Sequence, residues 1–135
     1  MAFTGNYTCN SFKSGLIDGD FDFDTDTFKI ALYTNSATLN ADTSAYTSTG
    51  EVSASGYTAG GNTLTVSKGI TSGTAYITFT DTSWSAAITA RGALIYKDGG
   101  AAVCVLDFGA DKTSTTTFTV DFPAASSTDA LIRLS

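Results

Sequence analysis

Apolar and polar residues alternate along most of this chain at the period of two that a β-strand imposes, because successive side chains leave opposite faces. The clearest run is Thr27–Thr34, TFKIALYT, in which Phe28, Ile30 and Leu32 share one face and Lys29, Ala31 and Tyr33 the other. TLTVSK at 63–68 and TAYITFT at 74–80 repeat the pattern, and Trp84 follows as a core anchor just outside a strand. ARGALIYK and AAVCVLDF, joined by Asp98-Gly99-Gly100, read as a hairpin, since Asp and Gly accept the positive φ of a tight turn. TTTFTVDF at 115–122 sets Phe118, Val120 and Phe122 on one face and ends at Pro123, which has no amide to give a ladder. ALIRL at 130–134 supplies a last strand.

Two stretches break the period. SFKSGLIDG at 11–19 predicts one or two helical turns with Phe12, Leu16 and Ile17 facing inward, although Gly15 and Gly19 weaken a helix. Residues 35–62 form a polar excursion without sustained periodicity, the kind of segment that carries short strands or meets a partner. Together the elements predict an all-β fold, a β-sandwich or a jelly-roll/Greek-key-like barrel, with one short N-terminal helical turn and a long polar loop.

Composition agrees. The 135 residues suit one β domain spanning 1–135, with 1–10 as a possible N-terminal arm. Helix-favouring residues are scarce: one Glu, no Gln, and Met only at position 1. Net charge is −6, and five Lys and two Arg are scattered singly, so no nucleic-acid or anionic-membrane partner is expected. The start lacks the basic and apolar regions of a secretion signal, and no apolar run reaches membrane length, which points to synthesis in a cytoplasm. Cys9 and Cys104 are too few for a disulfide framework or a zinc knuckle. Cys104 reads as a small core residue, and a Cys9–Cys104 bridge in oxidising surroundings is the lesser alternative.

The absence of His removes imidazole bases, Ser-His-Asp and Cys-His systems and His-held metals. No enzyme, catalytic residue or cofactor is expected. Asp107 and Asp111 could form a carboxylate pair, but Asp and Gly together read more simply as a turn. An exposed platform of Tyr33, Tyr46 and Tyr57 would suit a carbohydrate-binding module, the alternative of another class. The most conspicuous stretch is DGDFDFDTD, Asp18–Asp26, which holds five of the thirteen acids. A calcium loop needs Gly at its sixth position and Glu at its twelfth. These fall on Phe23 and Lys29, Thr25 and Ala31, or Thr27 and Tyr33, so every register fails. A looser cation site would rest on Asp20, Asp22 and Asp24. Carboxylates about 7 Å apart on one strand face repel only weakly in water. A solvated edge, with Phe21 and Phe23 inward and the acids outward, is therefore preferred, and such an edge also discourages strand pairing between molecules.

Four phrases, FDFDTDTFKIALYT (21–34), GEVSASGYTAGGNTL (50–64), DTSWSAAITARGALIYKDG (81–99) and VLDFGADKTS (105–114), are similar in order and wording to a group of small tailed-bacteriophage virion structural proteins. The resemblance runs from about residue 11 to the end and implies a non-enzymatic capsid decoration (cement) protein, with a neck, tail or fibre component as the alternative. It implies the major capsid protein and further copies of the chain, as a homotrimer, as partners. It also implies a place on the capsid surface of the virion after synthesis in the host bacterial cytoplasm. Phe3 and Tyr7 in the arm, and Tyr46 and Tyr57 in the excursion, are the expected partner contacts, with packing inside the chain as the competing use.

Overall fold

The computed structural model describes residues 3–135. Along the chain come β1 (Tyr7–Thr8), α1 (Asn10–Asp18), β2 (Phe28–Tyr33), β3 (Asn62–Leu64), β4 (Val66–Thr71), β5 (Thr74–Phe79), β6 (Thr82–Trp84), β7 (Thr89–Lys97), β8 (Ala102–Thr113), β9 (Phe118–Val120) and β10 (Ile132–Leu134). The protein is all-β. A five-stranded sheet in the order β1-β8-β7-β2-β3 is accompanied by a three-stranded sheet, β10-β5-β4, and a two-stranded one, β6-β9. Every pairing is antiparallel, and the sheets keep open edges, so this is a sandwich rather than a closed barrel.

Parity along β2 divides the interior. Phe28, Ile30 and Leu32 join Ala93, Ile95 and Cys104 on one face, where Phe12, Phe79, Trp84 and Phe118 from α1 and the smaller sheets close the main core. Ala31, Tyr33, Leu94, Tyr96 and Val105 occupy the other face, under Phe3, Cys9, Ala37 and Leu39. The hairpin β7–β8 forms as the alternation requires, with a shift between Ile95 and Tyr96 that leaves Val103 as an extra residue.

The helix has the predicted place, and its two glycines serve it. Gly19 takes the left-handed conformation (φ 81°), and the Asp20 amide reaches back 2.8 Å to the Gly15 carbonyl, a Schellman end. A Cβ on Gly15 would lie 2.4 Å from the Phe21 ring, so the missing side chain makes room for it. Phe12 and Leu16, four residues apart, share the buried face, but Ile17 is 90% exposed. Five residues beyond Phe12 is about 140° around the helix, which turns Ile17 outward.

Three other expectations are corrected. TLTVSK is two strands: β3 belongs to the five-stranded sheet and β4 to the three-stranded one, with the chain changing sheets at Thr65. Trp84 lies inside β6 rather than beyond a strand. DGDFDFDTD is not extended. Its Asp26 amide donates to the Asp22 carbonyl (2.9 Å), while the Asp22 and Asp26 carboxylates accept from the Asp24 and Asp22 amides (2.9 and 2.8 Å). Asp side chains bond nearby amides more readily than they sit in a ladder, and a turn results. Phe21 and Phe23 still face inward, and Phe23 stacks on Phe28 with centroids 4.5 Å apart.

Candidate functional site

The polar excursion is held to the sheet by an unmet need of β2. Strand β3 pairs only with Phe28–Ile30, which leaves the amide and carbonyl of Leu32 pointing past its end. Buried backbone groups require partners. Val52 donates to the Leu32 carbonyl (2.9 Å), and the Tyr57 hydroxyl accepts from the Leu32 amide (2.9 Å). Tyr57 in turn donates to Glu51 Oε2 (2.7 Å), which also receives the Gly60 amide (2.8 Å), while Tyr46 donates to Oε1 (2.5 Å). The chain's one Glu thus gathers three donors from its own loop.

Two further phenols complete the cluster. Tyr33 donates to the Thr47 carbonyl (2.7 Å) and Tyr96 to the Gly60 carbonyl (2.6 Å), and Tyr46 stacks on Tyr96 at 5.1 Å. Burial above all, then the bond to Glu51, pushes Tyr46 up to about 12, and burial with Tyr46 nearby does the same for Tyr96. Tyr33 and Tyr57 are raised as well, first by burial, then by the Glu51 charge at Tyr33 and the Glu51 hydrogen bond at Tyr57. These phenols stay protonated as hydrogen-bond donors and are not poised to act as bases. Gly61 brings the loop against β2 at φ 80°, where a Cβ would meet the Ile30 carbonyl oxygen at 1.7 Å.

The expected partner contacts separate into two groups. Phe3 is 1% exposed, slotted against Gly92 under the Arg91 guanidinium, and Tyr57 is buried in the cluster. Only Tyr7 and Tyr46 keep surface. The Tyr33, Tyr46 and Tyr57 platform does not exist, because Tyr33 and Tyr57 are interior. Of the possible carboxylate pair, Asp107 is committed to Arg91 (3.0 Å) and to the Gly109 amide (2.8 Å), and Asp111 is exposed.

Asp20, Asp22 and Asp24 do not converge: among the described residues no three His, Cys, Asp or Glu are placed to hold a metal. Lysines answer the acids instead. Lys68 meets Asp24 at 2.9 Å, and Lys97 meets Asp26 at 3.1 Å and the Asp20 carbonyl at 2.6 Å. The Asp24 amide foremost, then the Thr25 side chain, holds the Asp22 carboxyl below its ordinary value; the Asp22 amide foremost, then Lys97, does so for Asp26. Cys9 and Cys104 are free thiols packed on opposite faces of the central sheet, and burial raises both.

Sequence reasoning passed over Glu51 and Lys29. The available signal was a sole Glu between two tyrosines in a Gly-rich segment. Compared with family models, with curated proteins and with solved structures, the chain gives no match.

Proposed function

We propose that this chain is a non-enzymatic structural protein of a tailed-phage particle, seated as a decoration protein on the outside of the assembled head and bound to the major capsid protein. One observation carries the reading: the phrases that resemble the virion group are scaffold instructions. In FDFDTDTFKIALYT the aromatics build the core and the acids fold a turn. In GEVSASGYTAGGNTL, Glu51, Tyr57 and Gly61 tie the loop to β2. Within these phrases Glu51, Tyr57, Asp22, Asp26 and Asp107 are spent on internal bonds, which suits a protein whose task is shape and contact.

Contacts on a lattice would come from what remains outside, where among the described residues Ile17, Ile70 and Leu134 are the large apolar side chains left exposed. Binding the assembled shell better than free coat subunits would stabilise the shell by mass action. A homotrimer is part of the proposal. Stoichiometry in purified virions tests it: decoration requires a copy number comparable to that of the coat protein. A ratio far below that would replace it with a neck, tail or fibre role.

A further inference from the structure

Beside the tyrosine cluster the surface opens into a cleft of about 470 Å3 lined by Lys29, Tyr46, Gly60, Tyr96, Asp98 and Gly100, among others. We propose that this cleft binds a saccharide, a property independent of any place in a virion. Lys29 stands opposite Tyr96 in the β2–β7 ladder. A Cβ on Gly60 would lie 3.3 Å from the Tyr96 hydroxyl and 3.4 Å from the Lys29 ammonium, so the bare glycine lets the three groups crowd together. Among the described residues the ion pairs belong to Lys68, Arg91 and Lys97, and Lys29 makes neither an ion pair nor a side-chain hydrogen bond. Asp98 sits in the hairpin turn with its amide fixed to the Thr27 carbonyl (2.8 Å), and its carboxylate is likewise unengaged.

The lining selects the ligand class. One carboxylate is too few for a divalent cation. A phosphate group would gain one cation and lose to the neighbouring carboxylate. A purely apolar ligand would leave Lys29 and Asp98 desolvated without partners. A polyol fits, because each hydroxyl both donates and accepts, and so answers a lone ammonium and a lone carboxylate together. Half-buried Tyr46, stacked on the buried Tyr96, supplies an aromatic wall for the C–H face of a sugar ring. The volume lies toward the lower part of the range for small-ligand sites (roughly 300–1,000 Å3), room for a mono- or disaccharide.

Saturation-transfer NMR on the whole protein tests this with glucose, galactose, N-acetylglucosamine and glucuronic acid, each at about 10 mM. At least one sugar should receive magnetisation and shift the amides of Gly60, Gly99 and Gly100. Asp98→Asn, in an exposed turn, should weaken that binding about tenfold while leaving the melting temperature unchanged, as expected for losing a charged acceptor. Lys29→Met should weaken it similarly. Silence from all four sugars overturns the proposal, and so does binding that neither substitution reduces.

Discussion

Replacing Glu51 tests whether the tyrosine cluster holds the long loop or merely decorates it. Glu51→Ala removes the acceptor of three donors, the Tyr46 and Tyr57 hydroxyls and the Gly60 amide. Tyr46 is half-exposed and can turn to water, but Tyr57 and Gly60 are buried. Each buried donor left without a partner costs about 1–3 kcal/mol. Freeing Tyr57 also loosens its grip on the Leu32 amide. The expected loss is about 3–5 kcal/mol, a large part of the roughly 5–15 kcal/mol that holds a domain together. A chain of this size should then melt about 10–20 °C lower. Glu51→Gln keeps one acceptor oxygen and turns an NH2 toward a donor, so about half the loss is expected. Urea titration followed by circular dichroism, with a double-mutant cycle to Tyr57→Phe, gives both the loss and the coupling. A loss under about 1 kcal/mol for Glu51→Ala would mean that water replaces the carboxylate, and the account of the loop would fall.

Gly61 and Gly73 share φ 80°, but a Cβ on Gly61 would meet the Ile30 carbonyl oxygen at 1.7 Å whereas Gly73 faces open space. Gly73→Ala should cost only the left-handed backbone penalty of about 1–2 kcal/mol. Gly61→Ala should prevent folding or cost several kcal/mol more in the same urea assay; equal effects would contradict the close packing. Alkali supplies another test, because Tyr33, Tyr46, Tyr57 and Tyr96 all carry raised values, about 12 at Tyr46 and Tyr96. Unfolded phenols ionise near pH 10 while the folded ones hold their protons, so this stability is complete below about pH 10 and is lost as pH rises toward about 12. Each well-buried phenol steepens the fall by up to about 1.4 kcal/mol per pH unit, with half-exposed Tyr46 contributing least. Thermal melts at intervals from pH 8 to 12 (about one unit apart) should drop steeply above 10; a flat profile would refute the buried cluster.

Much of this fold was legible because the signals are local. The period of two in TFKIALYT and TAYITFT, and the Asp-Gly-Gly turn between ARGALIYK and AAVCVLDF, survive into β2, β5 and the β7–β8 hairpin. The break inside TLTVSK was hidden because Leu64 and Val66 keep the same parity whether the strand runs on or changes sheets. The acidic stretch misled in a different way. Its alternation is genuine and does bury Phe21 and Phe23, but Asp is a poor strand residue, and its carboxylates found amides within four positions. Lys68 and Lys97, which answer Asp24 and Asp26, lie more than forty positions away in the chain, beyond any local signal. The site was less legible still. Which tyrosines meet Glu51 depends on Val52 docking beside Leu32, a long-range pairing with no periodic mark.

The twenty-eight aperiodic residues of the polar excursion persist in so small a protein because they cover a face of the central sheet. A sheet covered on one face only would carry polar residues on its other side. Here Ala31, Leu94, Ala102 and Val105 on the second face are fully buried, and no sheet covers them. Ala37 and Leu39 from the excursion and Phe3 and Cys9 from the N-terminal side form the cover, with Tyr46 packed at its margin. The loop is therefore a layer of the structure, polar outward and apolar at a few positions inward. That also relocates the question of partner contact. Phe3 in this layer and Tyr57 in the main core could grip a neighbour only by unfolding part of their own core. In the proposed assembly, contact without that cost is open to Tyr7 and Tyr46, to Ile70 and Leu134 on the flanks of the three-stranded sheet, to Ile17 on the helix, and to the open strand edges.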